Sequence, residues 1–277
     1  MNSLLFGTSG IPLSTKKPDT MNGIKRVKEL GLDNMEIEFV HSINLSKEKA
    51  PLIKETANKE RVNLTCHGQY AINCNALDPA KLKASSQRII EACERANEAG
   101  VWSICYHMAY YLKDDPTIVT KKITQVVKEI AKELENRGVK LWLRPETGGR
   151  ISQWGELQEL IELSQNVEGV LPCIDWAHHH SRSIGKYNTT TEYQSILEAL
   201  EKGLGRECLD NMHCHMEGIK YGEKGEQHHL NLEESDMNWK DCVKVWKEFK
   251  IKGVITCESP NVEKDALMLQ KYYQTSK

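Results

Sequence analysis

The sequence predicts an α/β chain folded as a (β/α)₈ TIM barrel, with one domain over residues 1–277, and three observations carry that expectation. Short apolar runs alternate with longer segments of helical periodicity, the runs number eight, and a glycine repeatedly stands just before the next run. Near-continuous apolar strands separated by helices are what a parallel sheet covered by helices requires. A barrel of this kind takes about 250 residues.

The strand candidates are, in order, Leu4 to Ser9, Met35 to Val40, Asn63 to His67, Ser103 to Met108, Lys140 to Glu146, Val170 to Trp176, Asn211 to Met216 and Val254 to Glu258. Between them the helical period is clearest in Leu82, Ile89, Ile90, Cys93 and Ala96, and in Ile123, Val126, Val127, Ile130 and Leu134. Such spacing gives one apolar stripe per helix. Gly31, Gly100, Gly138, Gly169 and Gly253 suit the left-handed position just past a helix. His178 to Thr190 and Gly218 to Asp236 read as the longest irregular stretches, and both follow strands. Long loops after barrel strands gather at the C-terminal face, where activity is built.

Composition excludes several classes. A net charge of −2 gives no broad basic footprint for nucleic acid, although it leaves a local one open. The nine cysteines are odd in number and contain no CxxC pair, so neither a disulfide framework nor a zinc finger is indicated. Alternation along a strand turns Cys66, Cys214 and Cys257 away from their polar neighbours, with Cys105 and Cys173 on the same side as theirs, and buried filler is the expected role of all five. No apolar run approaches the roughly 20 residues that span a bilayer, and Met1 to Gly10 lacks the basic and apolar regions of a signal peptide. The expectation is a cytoplasmic, monomeric protein that does not engage membranes.

The ends of six consecutive strand candidates supply His67, His107, Glu146, Asp175, His213 and Glu258. One histidine at a strand end is ordinarily a satisfied polar group. Six ligand-type residues delivered to one face are different, because three carboxylates brought together are costly unless cations neutralise them. Mixed imidazole and carboxylate ligation suits Zn²⁺, with Mn²⁺ or Fe²⁺ as alternatives at individual sites, and is too large for one tetrahedral ion. His178 just past the sixth strand, and Glu226, His228 and His229 in the loop after the seventh, add enough donors for a third ion.

These residues resemble the endonuclease IV group of apurinic/apyrimidinic endonucleases in the xylose-isomerase-like barrel superfamily. The segment Cys173-Ile-Asp-Trp-Ala-His178 is similar to that family's Cys-Ile-Asp-Thr-Cys-His, and Met212-His213 is followed by Glu226-Gln-His228, where the family has Asp-Arg-His. Glu258-Ser-Pro260 matches the last-strand glutamate. The resemblance implies three zinc ions: one held by His67, His107 and Glu146, a second by Glu146, Asp175, His213 and Glu258, and a third by His178, Glu226 and His228. It also implies that Tyr70 enters the minor groove of damaged duplex DNA beside a flipped-out nucleotide. Ala71 stands where the family has a bulky apolar residue, and the second-strand loop with Glu36, Glu38 and His41 lacks its DNA-contacting segment.

The implied activity is hydrolysis of the phosphodiester 5′ to an abasic site, with Glu146 and Glu258 orienting or deprotonating the nucleophile. Arg150, Arg182, Lys186, Lys220 and Lys224 are the basic loop residues available for phosphate contact. A sugar isomerase or epimerase of the same superfamily is the rival enzyme, needing one or two ions and giving no reason for His178, Glu226 and His228. A binding protein with structural zinc is a third class, but structural sites are usually closed and cysteine-rich.

Overall fold

Strands stand where the apolar runs stand, because a barrel strand is covered on both faces. The elements in chain order are β1 (Leu4–Ser9), α1 (Thr20–Glu29), β2 (Asn34–Glu38), α2 (Ala50–Glu60), β3 (Asn63–His67), α3 (Pro79–Glu98), β4 (Ser103–Tyr106), α4 (Pro116–Asn136), β5 (Trp142–Pro145), α5 (Leu157–Asn166), β6 (Cys173–Asp175), α6 (Trp176–Arg182), α7 (Thr190–Leu204), α8 (Arg206–Asp210), β7 (Met212–Met216), β8 (Gly218–Gly222), β9 (Gly225–Leu230), α9 (Trp239–Glu248), β10 (Gly253–Cys257) and α10 (Glu263–Thr275). This computed structural model describes residues 1–276.

Eight strands form one parallel sheet in the order β5-β4-β3-β2-β1-β10-β7-β6. Single bridges from Leu143 to Val170 and from Glu146 to Cys173 join β5 to β6 and bring the sheet almost to closure as a (β/α)₈ barrel. Register fixes the height of each side chain in the barrel. Cys173 lies opposite His213, and Asp175 lies opposite His215, one layer nearer the mouth.

The helices cover the barrel with the stripes their sequences carry. Helix α4 buries Ile123, Val126, Val127, Ile130 and Leu134, and α3 buries Ile89, Ile90, Cys93 and Ala96 with Leu82 partly covered. Each aliphatic side chain removed from water contributes about 1.5–3 kcal/mol. Both helices start with proline after an aspartate whose carboxylate accepts first-turn N–H groups: Asp78 from Ala80, Asp115 from Thr117 and Ile118. Gly31, Gly100 and Gly138 follow their helices at φ 78°, 77° and 68°. Gly253 does not. Lys250 takes the left-handed position after α9 at φ 50°, and Gly253 opens β10, where a Cβ would lie 2.0 Å from the Met212 carbonyl oxygen.

The two stretches read as irregular are structured. Asp175 caps α6 by accepting from the His178 N–H at 2.7 Å, so the first begins with a short helix. In the second, β8 and β9 pair as an antiparallel hairpin through Gly222-Glu-Lys-Gly225, with Gly225 at φ 88°. A two-residue loop between glycines is a hairpin signal present in the sequence. No described helix is long and apolar enough to cross a membrane.

Candidate metal centre at the barrel mouth

Glu146 directly follows β5 and stands at the centre of the mouth, fully buried. Its Oε2 lies 3.2 Å from His67 Nε2 and 3.7 Å from His107 Nε2. Its Oε1 lies 3.0 Å from His215 Nδ1 and 3.7 Å from His178 Nδ1. Histidines from β3, from β7, from the residue after β4 and from helix α6 thus converge on one carboxylate. Glu146, Asp175, His215 and Glu258 each bring a donor atom within 4.8 Å of the others.

The β7 histidine that stands with Glu146 and Asp175 is not the one expected from sequence. His213 is one layer down, its Nε2 2.8 Å from Glu36 Oε2 and its Nδ1 3.0 Å from Ser103 Oγ. His215 occupies the place expected of His213. Both histidines point inward because they are two apart on a strand, and the sequence alone does not say which is nearer the end. Register decides it, by setting His215 beside Asp175.

His228 is the second departure. Tyr221 pairs with Glu226 and Lys220 with His228, which leaves Gln227 as an extra residue in β9. A bulge of this kind reverses the alternation beyond it. His228 is therefore exposed, while His229 joins Glu226 in lining the mouth cavity. His178 stands beneath both, its Nε2 3.8 Å from Glu226 Oε2 and its ring 5.8 Å from that of His229.

The donor set fits divalent cations. Glu146 Oε2, Asp175 Oδ2 and His178 Nε2 are buried without a hydrogen-bond partner, as are both carboxylate oxygens of Glu217. Each such atom costs about 1–3 kcal/mol if nothing binds it. Burial, and then the neighbouring Glu146 charge against the pull of His178, raises Asp175 to about 6. Burial lowers His107 to about 4, which keeps its imidazole neutral, the form that ligates metal.

Below the mouth is a layer outside the expected ligand set. Burial opposes ionisation of Glu36, but His215 and His213 beside it outweigh that and hold its carboxyl below the usual range. Cys105 and Cys173 face this layer, close to both histidines. Glu36 reads as one of two glutamates in Glu36-Ile-Glu38 pointing the same way, and Glu217 follows His215 at the same two-residue spacing. That spacing was the available signal for both.

The mouth opens as a cavity of about 350 Å³ lined by His67, Tyr70, His107, Arg150, His178, Glu226, His229 and Glu258, among others. Tyr70 is 58% exposed at its rim, with its ring 5.4 Å from that of His67. Arg150 reaches the cavity, and Lys186, Lys220 and Lys224 are exposed. Arg182 is not free for phosphate: it donates to the backbone oxygens of Arg150 and Gln153 and pairs with Glu156.

Similarity to known proteins agrees with this architecture. An uncharacterized protein of Methanocaldococcus jannaschii is 36% identical over 270 residues, covering 98% of this chain and 97% of its own. A probable endonuclease 4 of Mycoplasma genitalium is 21% identical over 75% of this chain and 70% of its own. Among solved structures, endonuclease IV from Thermus thermophilus superposes with a TM-score of 0.74 at 17% identity over 96% of this chain and 97% of that one. A D-tagatose 3-epimerase-like protein superposes with a TM-score of 0.72, also at 17% identity, over 96% of each chain. Residues 24–274 match the family described as xylose isomerase-like TIM barrel, and the chain belongs to that family.

Proposed function

We propose that the chain is a metal-dependent phosphodiesterase that cleaves duplex DNA 5′ to abasic sites. The observation that carries the reading is the size of the ligand set. Glu146, Asp175, His215 and Glu258 alone would serve an isomerase or epimerase, and they leave His67, His107, His178, Glu226 and His229 without a task. Those five surround the same cavity, which is too rich in imidazole and carboxylate for one or two ions. The likeness to a probable endonuclease 4 supports the same side.

In this reading His67 and His107 would hold one ion with Glu146; Glu146, Asp175, His215 and Glu258 would hold a second; and His178 and His229, with a carboxylate beside them, would hold a third. Zinc is the ion the donors suit best. The bound cations would supply charge neutralisation for the attacked phosphoryl group. Glu258, bordering the open cavity, would take the proton of the attacking water as its oxygen bonds to phosphorus; the P–O3′ bond breaks, and the proton passed on to the departing oxygen leaves a 3′-hydroxyl and a 5′-phosphate, while Glu146, fully buried, keeps its charge fixed at the centre. Tyr70 and Arg150 at the rim contact the nucleotide and a phosphate.

The purified chain, supplied with zinc or manganese, should nick a duplex carrying a tetrahydrofuran abasic analogue, and Glu258→Gln should abolish nicking while the barrel stays folded. Absence of cleavage with either metal overturns the reading. Epimerisation of a ketose by a protein holding only one or two ions would establish the rival.

A further inference from the structure

We propose that Glu217 is a ligand of the third metal ion, so that this ion sits inward of the Glu226 position, between His178, Glu217 and His229. This rests on the three-ion part of the reading above and does not depend on the substrate.

Glu217 follows β7 directly and is two residues beyond His215, so alternation turns both side chains to the barrel interior. The next residue, Gly218, begins the hairpin that folds back over the mouth, and a Cβ there would lie 2.2 Å from the Asn231 carbonyl oxygen. Only glycine lets the two segments meet that closely. Glu217 itself has an exposure of 0%, and His229 of β9 is brought close to it.

Three buried polar atoms here have no partner: Glu217 Oε1, Glu217 Oε2 and His178 Nε2. Ligand atoms of Glu217, His178 and His229 all lie within 4.8 Å of one another. Protonating the carboxyl would not remove the deficit, because its O–H would need an acceptor in turn. A divalent cation satisfies all three atoms at once. Glu226, by contrast, is drawn outward, with its Oε2 3.8 Å from Arg150 Nε as well as from His178 Nε2. The extra methylene that distinguishes Glu226 from an aspartate gives it that reach, and Glu217 takes the vacated ligand role.

The experiment strips the full-length chain with a chelator, reloads it with zinc, removes excess metal, and measures zinc per chain by elemental analysis and native mass spectrometry. The wild-type chain should hold three ions, Glu217→Gln two, and Glu226→Gln three. Three ions in Glu217→Gln overturn the proposal while leaving the three-ion reading intact. Fewer than three in the wild-type chain overturn both. Circular dichroism reports whether the variants fold. Independently of any variant, a crystal of the zinc-loaded wild-type chain should show an anomalous-scattering peak about 2.0–2.2 Å from a Glu217 oxygen. A third-ion peak bonded to Glu226 and not to Glu217 overturns the assignment.

Discussion

Glu36 Oε1 stands 3.0 Å from Nε2 of His215, on the side of the ring opposite Glu146. A carboxylate facing Nε2 draws the ring proton there and leaves the Nδ1 lone pair turned to the mouth, which is how outer carboxylates orient metal-ligating histidines. Glu36→Gln should therefore weaken metal affinity at the mouth about 10–100-fold. Isothermal titration of the chelator-stripped chain with zinc checks this, and an unchanged affinity would sink the orienting role.

His213 and His215 should separate cleanly on substitution. His215→Ala removes a mouth donor and should lower bound metal along with any activity. His213→Ala removes the partner 2.8 Å from Glu36 Oε2 and leaves a buried carboxylate oxygen unpaired, at a cost of about 3–5 kcal/mol. Thermal melts and metal counts on the two variants decide it. Metal loss in His213→Ala equal to that in His215→Ala would contradict the layer assignment.

All nine cysteines are free and buried. Burial pushes Cys74 and Cys257 up to about 12 and Cys208 up to about 11, so they carry little thiolate at neutral pH. Cys173 goes the other way: burial opposes it, but the hydrogen bond with Cys105 and the charges of His213 and His215 bring it to about 5. Its burial still denies access to a reagent. Iodoacetamide at pH 8 should label none of the nine in the native chain and all of them after unfolding, read by intact mass. A label on any cysteine of the folded chain refutes this.

Glu263, at the start of α10, accepts from the backbone N–H groups of Leu13 and Ser14 at 2.8 and 2.9 Å, tying the last helix to the loop after β1. Burial opposes its ionisation, but backbone hydrogen bonds outweigh that and hold its carboxyl below the usual 4.5. A depressed carboxyl stabilises the fold above that value, and the contribution disappears as pH falls through the folded-state value. Glu263→Ala should cost about 2 kcal/mol at pH 7, or roughly 3 °C in Tm for a chain of this size. The gap from wild type should close at acid pH. A gap that is constant from pH 7 to 3 would show that charge is not the cause.

Chelation should destabilise the chain. Ions that bind the folded state alone add about 4 kcal/mol per site at a thousandfold excess over Kd. Differential scanning calorimetry with and without chelator measures it, and identical melts would argue against a built metal centre.

Much of the architecture was legible because it rests on local pattern. Parallel barrel strands are covered on both faces, so they read as apolar runs, and the stripes of α3 and α4 repeat at helical period. His67, His107, Glu146, Asp175 and Glu258 stand at strand ends, and the topology that strands and helices imply brings those ends together. What the chain does next was decided in three dimensions. His213 and His215 satisfy the same alternation, and only pairing with β6 sets one beside Asp175 and the other beside Cys173. His228 and His229 are both plausible neighbours of Glu226 until a bulge at Gln227, visible only as unequal pairing of β8 and β9, turns His229 inward. Glu36 and Glu217 gain their meaning from strands distant in sequence, because whether a buried carboxylate has a partner is a property of the surrounding side chains and not of its own neighbours in the chain.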